Sequence, residues 1–233
     1  MEVFQHQLFS LVGALICFCS MGEWAVVTGA GDGIGKVFLA GWSLVLGFSL
    51  VTELATDQKV KVIQAVFTKN SVYENIEKDL KDLSTAVLVS NVGILHNPLP
   101  SHFLNGFLFC YFLLDCVNCN IISVPGRYVT PSYLQKVLIL NLSSGSSTFP
   151  CPVYMMYTAT KVNLSHLLLQ PLQAEYKAKI NIMQIVIPYG VSAPMTMYQN
   201  PGVITKTAEK FLSESLEYVT FGDRFLDVSP MKF

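Results

Sequence analysis

Tyr157 and Lys161 are the two side chains of this sequence whose types and spacing most directly indicate chemistry. They lie four residues apart in the stretch PVYMMYTATKVNLS, so on a helix they would share one face and border one cleft. An ammonium beside a phenol favours the phenolate and lowers the pKa of the phenol. The pair therefore predicts a tyrosine that acts as a general acid, whereas Tyr154 has no such neighbour. The alternative interpretation is an amphipathic pair on a helix surface.

A serine upstream of this pair is a candidate for contact with the substrate. Ser144 stands near the end of Val137–Gly145, an apolar run that predicts a buried parallel strand. In open α/β sheets, ligands bind at the carboxyl ends of the strands. A hydroxyl at that place can hold a carbonyl oxygen next to Tyr157. The three side chains together predict protonation of a bound carbonyl.

A glycine-rich turn follows the β-rich run Trp24–Thr28. Its sequence, TGAGDGIGK, contains Gly29, Gly33, Ile34 and Gly35. Glycines let the backbone turn tightly and approach a pyrophosphate, whose charge then lies over amide groups at the start of a helix. Because the motif follows a strand and opens a helix, it favours a dinucleotide site over a purely structural turn.

The elements that must position these residues alternate along the chain. Alternating strands and helices predict an α/β fold with a doubly wound parallel sheet. With 233 residues, the chain is expected to form one domain, residues 23–233, after an apolar segment, residues 1–22. The further predicted strands are Val60–Phe67, Thr85–Gly93 and Ile180–Pro188, and the predicted helices include Asn70–Leu83 and Lys206–Tyr218.

Two regions do not fit this alternation. Only Lys36–Lys59 separates the glycine turn from the next predicted strand, which is too short for two crossovers and a strand between them. The second βα unit is therefore expected to be irregular or shortened. In Gly106–Asn120 an aromatic run replaces an amphipathic helix, which predicts a buried helix or an interaction patch.

The composition limits the classes of partner. The net charge is −1, so nucleic acid is not an expected partner. The chain is 52% hydrophobic and only 13% charged, so contact with a membrane is expected. The uncharged segment Leu8–Cys19 is shorter than a spanning helix and predicts a short anchor or an interfacial helix, with a buried helix as the alternative. The six cysteines lack the spacing of a disulfide scaffold or a zinc site, so they predict reduced residues and no metal.

The order of these motifs matches a known family. The glycine turn, Asn91-x-Gly93, Asn120, Ser144 and the Y-x-x-x-K pair resemble the short-chain dehydrogenase/reductase family along most of Trp24–Thr220. The resemblance implies a Rossmann-like fold and NADPH (NADP) as the cofactor. It also implies that the carboxyl-terminal segment of the family is truncated here.

The resemblance implies a role for each matching residue. Tyr157 would protonate the substrate ketone while Ser144 orients the carbonyl, so both would contact the substrate. Lys161 would bind the nicotinamide ribose and tune the tyrosine, and Asn120 would maintain the active-site helix and a proton relay. The residues that would bind the cofactor are Gly29, Gly33, Ile34, Gly35, Asn91, Gly93, Lys161 and Pro188.

Several positions depart from the pattern of the family. No arginine precedes Arg127, although the resemblance predicts one after the second strand that would pair with the 2′-phosphate of NADPH. Val66 replaces an aspartate near the adenine, and Ala193 replaces a threonine in the loop that Pro188 opens. Pro171 falls inside the helix that carries Tyr157, where it would remove a backbone hydrogen bond.

Within the family, blocks such as LILNLSSG and VITKTAEKFLSESLEYVT are similar to steroid dehydrogenases. This similarity implies reduction of a 17-ketosteroid, androstenedione to testosterone, at the endoplasmic reticulum membrane, with a homodimer left open. A 3-ketoacyl-CoA reductase is the second enzyme hypothesis. A catalytically impaired splice or gene-model variant is the third, because of the two irregular regions.

Overall fold

The structure is a computed structural model that describes the central sheet and the loops at its carboxyl edge. The described residues are 24–37, 61–65, 67, 72–80, 83, 85–95, 138–162, 174 and 182–218. The strands are β1 (Trp24–Val27), β2 (Thr85–Ser90), β3 (Leu138–Leu142), β4 (Ile182–Val186), β5 (Gly190–Ser192) and β6 (Thr205–Thr207). The helices are α1 (Val72–Leu80), α2 (Met155–Val162) and α3 (Ala208–Tyr218), and residues 33–37 are helical after β1.

β1 to β4 form one parallel sheet in the order β1-β2-β3-β4. The register places Val27 beside Val89 and Val89 beside Leu140, so the strands end nearly level. Because parallel strands run in one direction, their carboxyl ends meet at a single edge of the sheet. The predicted α/β fold with a parallel sheet is confirmed, and this edge is where the candidate site lies.

The sheet is buried on both faces at β3, one of its two inner strands. All five residues of β3 are buried, although successive side chains point to opposite faces. On one face, Leu138, Leu140 and Leu142 pack in the same cluster as Phe211 and Leu212 of α3. Full burial of one such side chain stabilises the fold by about 1.5–3 kcal/mol, so this cluster holds β3 and α3 together.

The prediction of a strand over Val60–Phe67 is wrong for the described residues of that segment. Residues 61–65 form no regular structure. Lys61 instead contacts α1, where its Nζ lies 2.9 Å from Asp79 Oδ1 and donates to Asp79 O at 2.8 Å. Val62 is 81% exposed. Val62 therefore lies in contact with water, and the apolar pattern of the run did not show that residues 61–65 form no strand.

Other sequence predictions concern residues outside the described ranges. They fall on Leu8–Cys19, on residues 38–59, on Gly106–Asn120 with the candidate Asn120, and on Pro171. Among the helices that the structure describes, none combines the length and the apolar character needed to cross a membrane.

Candidate active site

Ser144 stands just beyond β3 and caps the short 3₁₀ helix Gly145–Thr148. Its Oγ accepts hydrogen bonds from the backbone N of Ser146 at 3.3 Å and from Ser146 Oγ at 3.1 Å. Its hydroxyl also forms a hydrogen bond with Tyr157. The structure therefore brings Ser144 and Tyr157 together at the carboxyl edge of the sheet, as the sequence predicts.

α2 places Lys161 beneath Tyr157. Lys161 Nζ lies 5.7 Å from the centroid of the Tyr157 ring, and the lysine is 4% exposed. The ammonium donates to Leu142 O at 2.9 Å, and Ser143 Oγ donates to Lys161 O at 3.0 Å. These two hydrogen bonds fasten α2 to the end of β3. A buried positive charge is consequently held close to the phenol.

The acidity of Tyr157 differs from the sequence prediction. Burial raises the pKa of Tyr157 to about 12, and the hydrogen bond with Ser144 lowers it only in part. The prediction of a lowered Tyr157 pKa is therefore wrong for the cofactor-free chain, because burial outweighs the attraction between a phenolate and the Lys161 ammonium. The ammonium donates to Leu142 O, while the protein around the half-buried Tyr157 limits the water that could stabilise a phenolate. Tyr157 consequently keeps its proton at neutral pH.

The glycine turn between β1 and the helical residues 33–37 has the shape that a dinucleotide requires. Gly29 and Gly33 have φ values of 64° and 57°, which other residues rarely adopt. A Cβ on Gly35 would lie 2.3 Å from Gly29 O, so this position has no room for a side chain. Ile34 packs against the core cluster and anchors the turn from below. The close backbone packing fits the binding of a pyrophosphate at this turn.

Asn91 braces the glycine turn from the end of β2, and Gly93 lies in the same loop. Asn91 Nδ2 donates to Thr28 O at 3.2 Å and to Gly29 O at 3.3 Å. Thr28 Oγ1 in turn accepts from the backbone N of Asn91 at 2.9 Å and of Val92 at 3.2 Å. Sequence reasoning identified Asn91 and placed Thr28, which is 8% exposed, at the start of the glycine motif without giving it a role. Its position directly after β1 was the available signal for that role.

The segment after β4 connects the two parts of the site. Pro188 O accepts a hydrogen bond from Gly145 N at 2.7 Å, next to Ser144. Further along, a Cβ built on Gly33 would lie 3.1 Å from Ala193 Cβ. Residues 188–198 therefore run from the serine turn, which is Ser144 with the short helix Gly145–Thr148, to the glycine turn. This is the course expected of a loop over a bound cofactor.

Sequence reasoning missed Asp32 in the glycine turn and its contact with Tyr198 of this segment. Tyr198 OH donates to Asp32 Oδ2 at 2.9 Å, and Asp32 Oδ1 accepts from Gly33 N at 2.6 Å. The hydrogen bonds of Asp32, from Gly33 first and then from Tyr198, hold the pKa of its carboxyl below the usual range. A charged residue inside a glycine turn was the only signal in the sequence.

Comparison with known sequences places this site in a family. The chain matches the short chain dehydrogenase family over residues 23–203. Human 17-beta-hydroxysteroid dehydrogenase type 3 (Homo sapiens) is 47% identical over 223 residues, which cover 87% of this chain and 70% of the relative. The enzyme of the same name from Danio rerio is 39% identical, with 93% and 78% covered. Very-long-chain 3-oxoacyl-CoA reductase-B from Danio rerio is 33% identical, with 89% and 72% covered.

Solved structures share the Rossmann-like fold at low sequence identity. A short-chain dehydrogenase from Sphingobium yanoikuyae in complex with NADPH has a TM-score of 0.70 at 19% identity, covering 82% of each chain. A structure described in terms of 7beta-hydroxysteroid dehydrogenase stereoselectivity has a TM-score of 0.68 at 16% identity, covering 84% of each chain. These likenesses show the fold, and the sequence match shows the rest: the chain belongs to the short-chain dehydrogenase family.

Proposed function

We propose that this chain is an NADPH-dependent 17-ketosteroid reductase that converts androstenedione to testosterone. The proposal is carried by the contact of Ser144 with Tyr157 above the buried ammonium of Lys161. It is supported by 47% identity to a relative named 17-beta-hydroxysteroid dehydrogenase type 3. The three side chains supply what carbonyl reduction needs: a hydroxyl to orient the oxygen, a protonated phenol and a fixed cation.

Each of these side chains has one task in the proposed reaction. When bound, NADPH supplies the hydride that forms the new C–H bond at the carbonyl carbon. Ser144 orients the ketone oxygen, and Tyr157 gives its phenolic proton to that oxygen as the C=O double bond becomes a C–O single bond. The ammonium of Lys161 stabilises the phenolate that remains, because it lies close to the ring and away from water. A solvent proton then restores the phenol.

The glycine turn, the loop after β2 and the segment after β4 would hold the cofactor. The matching residues are Gly29, Gly33, Ile34, Gly35, Asn91, Gly93, Lys161 and Pro188. Their placement around one edge of the sheet supports this proposal, because the turn and the loop are hydrogen-bonded to each other. Asn120, which lies outside the described residues, keeps its proposed role in maintaining the active-site helix.

A substrate comparison with purified chain tests the proposed function. We expect NADPH oxidation with androstenedione, and testosterone as the product identified by mass spectrometry. The second candidate is a 3-ketoacyl-CoA reductase, which is favoured only by the more distant relatives at 33% identity. Faster turnover of a long-chain 3-ketoacyl-CoA would reverse this order. Cofactor binding without turnover of either substrate would support the catalytically impaired variant.

The raised pKa of Tyr157 predicts the pH dependence in each direction. Reduction uses the protonated phenol, which persists well below a pKa of about 12, so its rate should be nearly constant between about pH 6 and 9. Oxidation of the alcohol uses the phenolate, so its rate should rise with pH over the same range. Spectroscopic titration of tyrosinate in the cofactor-free chain and in Tyr157→Phe measures the pKa directly. A Tyr157 titration near neutral pH would contradict this prediction.

We propose that the preference for NADPH over NADH is small. A charge-assisted hydrogen bond contributes about 1.5–3 kcal/mol, so an arginine at the 2′-phosphate would give roughly tenfold to hundredfold selectivity. No arginine occurs before Arg127, and exposed Lys36 follows the glycine turn. Titration of both nucleotides should therefore show less than about tenfold selectivity. Strong selectivity that Lys36→Gln removes, while Lys78→Gln on α1 does not, would instead assign the 2′-phosphate to Lys36.

We propose that the chain associates with the endoplasmic reticulum membrane through its amino-terminal apolar segment. A homodimer is the oligomeric state to be tested. Leu8–Cys19 carries no charge and could bury an apolar surface in a bilayer interface. The full chain should sediment with microsomes, and removal of residues 1–20 should shift it toward the soluble fraction. Recovery of the full chain in the soluble fraction would contradict the anchor. Light scattering of detergent-solubilised chain would measure the oligomeric state.

A further inference from the structure

Tyr189 contacts the turn that carries Ser144 through both its ring and its hydroxyl. The ring lies flat against Gly145, where an added Cβ would be 2.5 Å from Tyr189 Cδ1. The hydroxyl lies 3.1 Å from Thr148 Oγ1, at the other end of the same short helix. Together with the hydrogen bond from Gly145 N to Pro188 O, Pro188 and Tyr189 hold this helix at its first and last residues.

The direction of the hydroxyl hydrogen bond follows from the other contacts of Thr148. A threonine hydroxyl has one hydrogen to donate. Thr148 Oγ1 donates it to Gly145 O at 2.8 Å, so in the contact with Tyr189 the tyrosine is the donor. The resulting chain of two hydrogen bonds runs from Tyr189 through Thr148 to the residue directly after Ser144. A change at Tyr189 would therefore reach the backbone of the serine.

Tyr189 also belongs to the segment that passes over the glycine turn. It directly precedes β5, and Ala193 beyond β5 approaches Gly33 closely. Tyr198 then bonds to Asp32. One continuous stretch of backbone is thus fixed to the proposed cofactor turn at its far end and to the serine turn at its near end.

We propose that Tyr189 is a positioning residue that couples the loop over the cofactor to the placement of Ser144. It touches neither the ketone nor the reacting atoms and acts through Thr148 and Gly145. Through these contacts Tyr189 holds Ser144 at the distance from Tyr157 that protonation requires. This inference rests on the proposed carbonyl reduction and names a residue that the sequence motifs do not include.

A double-mutant cycle on the two hydroxyls tests the coupling. Tyr189→Phe should lower kcat by about three- to tenfold, as expected for the loss of one hydrogen bond. Thr148→Val should lower kcat at least as much, because it also removes the hydrogen bond to Gly145 O. The double variant should lose no more than Thr148→Val alone, because that change already removes the hydrogen bond with Tyr189. Affinity for NADPH and the melting temperature should stay close to those of the wild type. Multiplicative losses, or losses that follow a fall in melting temperature, would overturn the proposal.

Tyr198→Phe provides the matched contrast on the same segment. It also removes one tyrosine hydroxyl, but that hydroxyl bonds to Asp32 in the glycine turn and not to the serine turn. Its expected effect is a weaker affinity for NADPH with kcat changed less than in Tyr189→Phe. If the two variants give the same pattern, Tyr189 has no separate action on Ser144 and the inference fails.

A steric cycle measures the ring contact independently of the hydroxyl. Gly145→Ala should lower kcat because its methyl group meets the Tyr189 ring. In a Tyr189→Ala background the same methyl group has room, so the added cost of Gly145→Ala should largely disappear. An equal cost in both backgrounds would overturn the coupling. If the wild-type chain reduces no ketone, the proposed function fails and this inference loses its basis. If the wild-type chain is active but the effects of the variants are additive, only this inference fails.

Discussion

Tyr157→Phe is expected to lower the turnover of ketone reduction by at least about 10²-fold, because the variant has no proton to give to the substrate oxygen. The phenylalanine ring fills nearly the same space, so the packing of α2 should be retained. Lys161 should keep its position as well, because its ammonium bonds to Leu142 O and not to the phenol oxygen. Steady-state kinetics should therefore show a fall in kcat with little change in the affinity for NADPH.

Tyr154→Phe is the control for that substitution. Tyr154 directly precedes α2 and its carbonyl oxygen accepts a hydrogen bond from Thr158 N at 2.8 Å, a contact that phenylalanine preserves. Its phenol also has a raised pKa, caused by burial and then by the charge of Cys151, but it lies outside the Tyr157–Lys161 pair. Its removal should change kcat by less than about tenfold, within the range of one lost hydrogen bond. Equal losses in the two variants would contradict the assignment of the proton donor.

The sheet and the pair on α2 could be predicted because both depend on local patterns. Continuous apolar runs that end in small polar residues predicted β2 and β3, as is typical of parallel strands buried on both faces. The strand-like run Ile180–Pro188 predicted β4. The i, i+4 spacing placed Tyr157 and Lys161 together for a similar reason. In both cases the geometry of one element determines the result.

The contacts that complete the site could not be predicted in this way. Tyr198 and Asp32 are 166 positions apart in the sequence, and Tyr189 and Thr148 are 41 apart. Whether such residues meet depends on the path of the loops between them, which no periodicity encodes. The predicted direction of the Tyr157 pKa shift was wrong for a related reason. It depends on the competition between burial and a nearby charge, and the sequence shows the charge but not the burial.

Gly35→Ala is expected to raise the dissociation constant for NADPH by about 10²-fold, the upper end of what overpacking by one methyl group costs. The new Cβ would lie 2.3 Å from Gly29 O and 2.4 Å from Asn91 Nδ2. These two atoms also bond to each other at 3.3 Å, so the methyl group would separate the glycine turn from its brace. The turn has little freedom to move away, because Thr28 N is bonded to Val89 O at 3.0 Å in the sheet.

Gly202→Ala is the matched control for the glycine turn, because the two substitutions add the same methyl group to the same chain. A Cβ on Gly202 meets nothing within 4 Å, and this glycine lies in the exposed loop before β6. Its affinity for NADPH and its melting temperature should match those of the wild type. Fluorescence titration with NADPH and thermal unfolding of both variants separate a damaged site from a damaged fold. If folded Gly35→Ala binds NADPH as the wild type does, the turn does not hold the pyrophosphate, and the cofactor must be placed elsewhere on the sheet edge.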